Sequence, residues 1–500
     1  MATSDSTHSR ILIVGSGFAG IGMAVRLKQA GHRDFVVLER ASNVGGTWRD
    51  NTYPGCRCDV PSHLYSFSFA PNPDWSSTFS PQPEIEAYLN RVTDDFGVRE
   101  HIRFGAAVEA CEWDDADNLW RVRTSQGELT AEIVISGMGP LAEPSYPKMP
   151  GIETFEGTVF HSARWDHTHD LTGRRVAVVG TGASAIQFVP AIQPEVDELH
   201  LFQRTPPWVM PRPDRSITGV EKAVFRRFPL VQKAVRAGIY WGREAYVLGF
   251  ARAPRIMAQA QKLAERHLAR QIRGPELRAK LTPDYTMGCK RILISDDYYP
   301  ALARPNVTVS TSGIREVTPR GIVTEDGAEH EVDTIIYGTG FRVTDLPVMD
   351  MVRGRTGETL REVWTDGMEA HLGTAIAGFP NFFMLIGPNT GLGHSSMVFM
   401  IESQIAYLLD AIRTMDAAGL DRVEVRPDVQ RRFVDGVRSR MRNTVWTTGG
   451  CVSWYLDSQG RNTTIWPGFT FRFRRLTRRF DPTEYDARPR RTLGTERQAA

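Results

Sequence analysis

Long apolar runs are missing from this 500-residue chain. No stretch reaches the roughly 18–20 residues that span a bilayer, so no transmembrane segment is expected. The opening decapeptide MATSDSTHSR lacks the apolar core of a secretory leader, and a strand pattern begins at once at Ile11. A cytoplasmic protein is therefore expected. Net charge is only +2, which removes the electrostatic case for a nucleic-acid partner. Cysteine is scarce: Cys56, Cys58, Cys111, Cys289 and Cys451. An odd number without a leader implies reduced thiols. Cys56 and Cys58 stand one residue apart, which is not redox-pair spacing, and no second pair completes a metal site. No metal is expected. Low-complexity tracts and short internal repeats are also absent. What remains is an ordinary globular composition, in a chain long enough to demand two or three packed domains.

What is present begins with two glycine-rich turns. The first lies in ILIVGSGFAG, with Gly15, Gly17, Phe18 and Gly20; the second lies in VAVVGTGASA, with Gly180, Thr181, Gly182 and Ser184. Each follows a short apolar strand pattern and precedes a helical one, the setting in which such a turn binds a dinucleotide pyrophosphate. Glu39 follows Gly15 by 24 positions, and Arg204 follows Gly180 by 24. The residue at the end of the second strand faces the adenosine ribose, where a carboxylate accepts from its hydroxyls and an arginine accommodates a 2′-phosphate. The first site is thus expected to hold FAD (or NAD) and the second NADPH.

The first β-α-β pattern is followed by a loop region rich in Pro, Ser and Phe, from Tyr53 to Pro83, then a helix near Glu84–Phe96 and a strand over Glu132–Gly139. A second β-α-β pattern starts at Arg175. Residues 220–281 read as inserted helices, and residues 216–280 carry fourteen Lys and Arg against four acidic residues. That excess reads as a solvated helical face, with a membrane surface or acidic partner as the alternative. Strands return at Val307–Val309, Asp333–Phe341 and Asn381–Asn389, before a helix over Ser396–Met415. The tail after Phe469 is dense in arginine and expected to be poorly ordered at its end. The fold expected is α/β: two Rossmann-like dinucleotide-binding domains, the NADPH domain inserted in the FAD domain and carrying a helical insertion. The expected boundaries are 1–143 (FAD domain, first part), 144–212 (NADPH domain, first part), 213–287 (helical insertion), 288–366 (NADPH domain, second part) and 367–500 (FAD domain, second part, with lid and basic tail).

Between the two turns lies FEGTVFHSARWDH, in which Phe155, Gly157, His161, Trp165 and Asp166 fit F-x-G-x-x-x-H-x-x-x-W-[PD]. A second pattern, G-G-x-W-x-x-x-x-Y-P-G-x-x-x-D, is met by Gly45, Gly46, Trp48, Tyr53, Pro54, Gly55 and Asp59. GCKR (Gly288–Arg291), YYPALARPNV, YGTGF and IGPN follow in order. Over nearly its whole length the chain resembles the type I Baeyer–Villiger monooxygenases, a branch of the flavin-containing monooxygenase superfamily. That resemblance implies NADPH reduction of FAD, O₂ addition to give a flavin C4a-peroxide, and its attack on a ketone to yield an ester or lactone. The charge developed in such a reaction calls for a fixed cation, and arginine stays ionised throughout the working pH range.

By resemblance, Arg291 is the catalytic arginine and Asp59 its carboxylate partner. Lys290 joins Arg204 and Thr205 as contacts to the 2′-phosphate. Gly45, Gly46, Thr47, Trp48, Tyr65 and the IGPN turn (Gly387, Pro388, Asn389) are candidate flavin contacts, and Gly340 a further cofactor contact. Trp454, in SWY, resembles the lid over bound NADP⁺, with a core tryptophan as the alternative. His161 is implied to act through domain geometry. His394, Ser395 and Ser396 either face substrate or cap the following helix. The pocket is expected to be lined by the helical insert, the turn after Asn389 and the lid, and to take a small hydrophobic ketone or sulfide together with O₂; oligomeric state is not legible. The near rival is a flavin monooxygenase acting on sulfur or nitrogen. A flavin disulfide reductase would need a cysteine pair at the flavin, and a purely nucleotide-binding module would leave Arg291 and Asp59 without work.

Overall fold

The computed structural model describes residues 7–251 and 254–490. The polar end of the tail, residues 491–500, lies outside the described residues. The β-branched and leucine-rich runs of the two turn motifs form strands buried on both faces; Ile11, Leu12 and Ile13 are fully buried, as are Val176, Ala177 and Val178. Such runs suit parallel sheets covered by helices on either side.

The first sheet has eight strands. Its parallel centre runs through Ile102–Phe104, Phe35–Glu39, His8–Val14 and Gly127–Ser136, and Phe382–Met384 pairs in parallel with Gly127–Ser136. Leu119–Thr124 and Val108–Asp114 extend it antiparallel, and Val352–Arg353 closes the edge. The second sheet is wholly parallel, ordered Val307–Ser310, Glu198–Phe202, Arg175–Val179, Thr334–Tyr337, Thr158–His161. All its strands fall between Gly127–Ser136 and Val352–Arg353 in the chain, so one dinucleotide domain interrupts the other. Helices cover Gly219–Arg227, Pro229–Glu244, Tyr246–Ala251, Pro254–Gln271 and Pro275–Lys280, the stretch read as inserted helices.

Four details depart from the sequence reading. Asn381–Asn389 forms a strand only over Phe382–Met384, because Ile386 and Asn389 take left-handed backbone angles (φ 62° and 55°) that end it. The strand read at Glu132–Gly139 ends at Ser136. In the tail after Phe469 the structure adds two elements that went unread: Thr470–Leu476 is a helix and Tyr485–Pro489 a strand paired with Leu420–Val425, while the expectation of poor order concerned the end, which lies outside the described residues. Buried Phe473, Phe480 and Tyr485 anchor the two elements, and the arginines between them concealed that pattern.

The fourth correction concerns the thiols. Cys289 and Cys451 form a disulfide, while Cys56, Cys58 and Cys111 are buried and free. The Thr286 amide donates to the Gly449 carbonyl (3.0 Å), laying the segment before Arg291 alongside the one before Trp454. The two cysteines are 162 positions apart, a proximity that spacing does not encode.

Candidate active site

Both glycine turns open into one cavity of about 1470 Å³. At the first, Gly15 has φ +93°, open only to glycine, and any Cβ on Gly20 would collide with the Gly15 carbonyl. Gly20 therefore serves close helix–strand packing and stays off the cavity wall, whereas Gly15, Gly17 and Phe18 are on it. Gly180 repeats the geometry at the second turn with φ +105°. Glu39 reaches the wall, but its carboxylate already accepts from the Ser16 amide (2.9 Å) and hydroxyl (2.7 Å), and from the Ala41 amide (3.0 Å). It braces the turn besides facing the cavity.

Facing this end are Gly46, Thr47, Trp48 and Tyr65. The Trp48 indole donates to the Tyr65 hydroxyl (3.0 Å), and Phe18 meets Tyr65 edge-on at 5.1 Å. At the second turn, Thr181, Gly182, Ser184, Arg204, Thr205, Lys290 and Gly340 share the wall. Thr181 donates to the Thr205 carbonyl (3.3 Å). Burial lowers the Lys290 pKa and the Arg204 charge lowers it further, so the two cations converge on one spot.

Between the turns stands the pair that sequence placed 232 residues apart. Arg291 donates to both Asp59 oxygens, Nε at 2.7 Å and Nη2 at 2.6 Å. Such a fork fixes orientation as well as charge. Parallel pairing of Val209–Met210 with Leu293–Ile294 positions Arg291 just ahead of the second strand. Asp59 sits in the loop region whose Tyr53 hydroxyl (3.1 Å) and Arg57 amide (3.2 Å) donate to Gln187, on the helix after the second turn. The Asp59 charge raises the Arg291 pKa against burial. Burial pushes the Asp59 carboxyl up, but Arg291 and then Arg243 outweigh it and hold it below its usual value. Both stay ionised over the whole working range.

Two side chains here carried no sequence signal of their own. Arg243, from the insert helix, donates to the Asp59 carbonyl (3.0 Å). Tyr455 is fully buried, and burial pushes its hydroxyl up to about 12 while nearby Arg291 draws it back. Its oxygen closes no hydrogen bond within the protein. Tyr455 belongs to the SWY string, where Trp454 alone attracted attention. Trp454 is 42% exposed and lines the cavity, so it is no core tryptophan.

The remaining candidates divide. Asn389 is not on the cavity wall: its left-handed backbone turns the amide onto the Asn462 and Ile465 carbonyls (3.1 and 3.2 Å), pinning the segment that follows Trp454. Gly387 and Pro388 of the same turn line the cavity as expected, and so does Thr390. Ser396 caps the helix Met397–Ala418 (3.2 Å), Ser395 faces the cavity, and His394 contacts buried Glu244 (3.3 Å). The helices of the insert contribute no wall, contrary to expectation: among its described residues Tyr285 alone lines the cavity, and the insert supports the site from behind through Arg243 and Glu244.

The linker motif is structural in its contacts. A Cβ on Gly157 would strike the Asp333 carbonyl, Phe155 packs on the core beneath the second sheet, and Trp165 packs on Phe160 and Phe188 (5.1 and 5.4 Å). Asp166 accepts from the Thr168 amide (2.9 Å) and hydroxyl (2.7 Å). His161 is fully buried; its Nδ1 accepts from the Ala163 amide (3.0 Å), and Nε2 lies toward Gly340. Burial lowers its pKa to about 4, leaving a neutral ring against the Gly340 loop. Cys56 and Cys58 also reach the cavity wall, with their thiols pushed up by burial.

A fold with two dinucleotide turns on one cavity defines a two-cofactor flavoprotein oxidoreductase. Residues 12–232 match the family model described as pyridine nucleotide-disulphide oxidoreductase. A Baeyer–Villiger monooxygenase of Streptomyces coelicolor is 56% identical over 480 residues, covering 96% of this chain and 92% of the relative. Two solved structures overlay it: OTEMO complexed with FAD and NADP (27% identity, TM-score 0.86, 96% and 99% of the two chains) and cyclohexanone monooxygenase from Rhodococcus sp. Phi1 bound to NADP⁺ (28%, 0.87, 97% and 100%). The chain belongs to the Baeyer–Villiger monooxygenases.

Proposed function

We propose that this protein uses FAD, NADPH and O₂ to convert a hydrophobic ketone into an ester or lactone. The observation that carries the reading is the Arg291–Asp59 fork standing inside the cavity between the two glycine turns. The residues present fit both cofactors: the first turn lines the cavity with Gly15, at φ +93°, and Gly17, and the second shares its wall with Arg204 and Lys290, two cations suited to a 2′-phosphate. When bound, FAD reduced by NADPH supplies the activation of O₂ and the oxygen atom inserted beside the carbonyl. The protein does the rest. Gly15, Gly17, Glu39, Trp48 and Tyr65 hold the flavin, while Arg204, Thr205 and Lys290 select NADPH over NADH. Arg291 presents a permanent positive charge to the negative charge that develops on oxygen, and Asp59 fixes its plane. Trp454 covers the nicotinamide side and excludes water.

Ile386, Leu392, Val398 and Ile401 on the wall favour an apolar substrate; sulfides of similar shape are expected to bind too. Among the described residues no helix is long and apolar enough to cross a membrane, and we assign the enzyme to the cytoplasm on its demand for NADPH. The test is ketone-dependent NADPH oxidation by the purified yellow protein, with ester measured by gas chromatography. Equal NADPH consumption with and without every ketone, ending only in H₂O₂, refutes the reading.

A further inference from the structure

The insert helix Pro229–Glu244 is built inside out. Four of its polar side chains face the protein: Gln232 donates to the Asn72 carbonyl (2.6 Å), Arg236 to the His63 carbonyl (2.6 Å), Arg243 to the Asp59 carbonyl (3.0 Å), and Glu244 accepts from the Thr470 hydroxyl (2.7 Å). Ile239 and Tyr240 pack inward, but its other large apolar side chains face outward, with Leu230 77% exposed, Trp241 58%, and Val231 and Val235 also exposed. A surface helix ordinarily does the reverse, and contiguous exposed apolar surface marks an interaction face. The face continues onto the helix Thr470–Leu476, where Phe471, itself exposed, meets Trp241 at 5.9 Å between ring centres.

The charge around this face names its partner. Residues 222–243 contain six Lys and Arg and no acidic residue; residues 470–480 contain five Arg and none. Arg227, Lys233, Arg472 and Arg475 are exposed beside the apolar side chains. A two-fold contact with a second copy sets this basic face against itself, which like charges oppose. An anionic lipid surface supplies both the opposite charge and an apolar boundary for Trp241 and Leu230. We infer that the outer face of Pro229–Glu244, with Thr470–Leu476, docks the enzyme on the surface of an anionic bilayer without crossing it.

The experiment uses the holoenzyme and sedimentation with vesicles of phosphatidylcholine, alone or with about one quarter phosphatidylglycerol, at roughly 0.1 M salt. The expected result is binding to the mixed vesicles, little to phosphatidylcholine alone, and release at about 0.5 M salt. A Leu230→Glu/Trp241→Glu variant is expected to lose at least about tenfold in vesicle affinity, with ketone-dependent NADPH oxidation kept. Arg472→Glu/Arg475→Glu tests the electrostatic half on residues whose charge points outward, with the same loss expected. Absence of binding to mixed vesicles overturns the inference, as does binding that neither variant changes. Sedimentation velocity supplies the remaining contrary result: a dimer that Leu230→Glu/Trp241→Glu dissociates makes this face a self-association surface instead.

Discussion

Replacing Arg291 by alanine removes a cation that the structure fixes bidentately inside the cavity, at 2.7 and 2.6 Å from Asp59. Two costs follow from the geometry. Loss of a preorganised charge at the reacting oxygen is worth about 2.7–4 kcal/mol, a fall of roughly 10²–10³ in kcat for ester formation. The Asp59 carboxylate, left without its main partner, retains Arg243 at its backbone carbonyl, so the protein is expected to fold with a lowered Tm rather than to collapse. Arg204 and Lys290, the proposed NADPH contacts, keep their charges in this variant, and the rate of flavin bleaching by NADPH in anaerobic stopped flow is expected to change by less than about threefold, under 1 kcal/mol. Arg291→Lys keeps a charge but loses the planar fork, and is expected to fall between parent and alanine variant. Ester formation by Arg291→Ala at the parental rate would refute the reasoning; so would loss of flavin reduction and ester formation in equal measure, which points to a folding or cofactor defect.

Arg204→Gln is expected to raise KM for NADPH about 10–100-fold, the worth of a charged phosphate contact of 1.5–3 kcal/mol, while KM for NADH stays near parental; equal loss for both coenzymes contradicts its role. Tyr455→Phe, which removes a buried hydroxyl beside Arg291 that closes no hydrogen bond within the protein, is expected to leave Tm near parental and the pH profile of ester formation undisplaced, because that hydroxyl remains protonated well past neutrality; a displaced profile contradicts this. Thiol titration in denaturant without reductant is expected to find three groups, Cys56, Cys58 and Cys111, and five after reduction; five at the outset removes the Cys289–Cys451 bond. His161, whose pKa burial lowers to about 4, takes up a proton more readily unfolded than folded, so its contribution to stability is complete above about pH 6.5 and is lost as pH falls toward 4. The Tm of the parent is expected to drop faster over that window than that of His161→Gln, and parallel curves contradict the assignment.

The parts most legible in the sequence were those that a local constraint writes into a few residues. The two turns announce themselves because Gly15 and Gly180 need left-handed backbone and Gly20 a side chain of no size. The equal offset to Glu39 and Arg204 reflects the fixed length of a strand–helix–strand unit, and both residues do reach the cavity. Asp59 and Arg291 were legible by resemblance, and they meet. What escaped depends on direction and distant contact. Asn389 sits in a cofactor-like motif, yet one positive φ turns its amide to the segment that follows Trp454. The inserted helices were recognised by composition, but which face turns inward is set by hydrogen-bond partners more than 150 positions away, such as Asn72 for Gln232. Three buried aromatic residues order the tail through cores that a local reading does not contain.

The most direct measurement of the central claim is isotopic. The enzyme turns over a simple hydrophobic ketone with NADPH under ¹⁸O₂, and the product is analysed by mass spectrometry. The reaction proposed consumes ketone, O₂, NADPH and a proton and yields ester, water and NADP⁺. The account predicts one ¹⁸O per ester, in the bridging position, with the carbonyl oxygen retained from the ketone. Ester without label, or NADPH oxidation that ends wholly in labelled H₂O₂ across a broad panel of ketones, would contradict it.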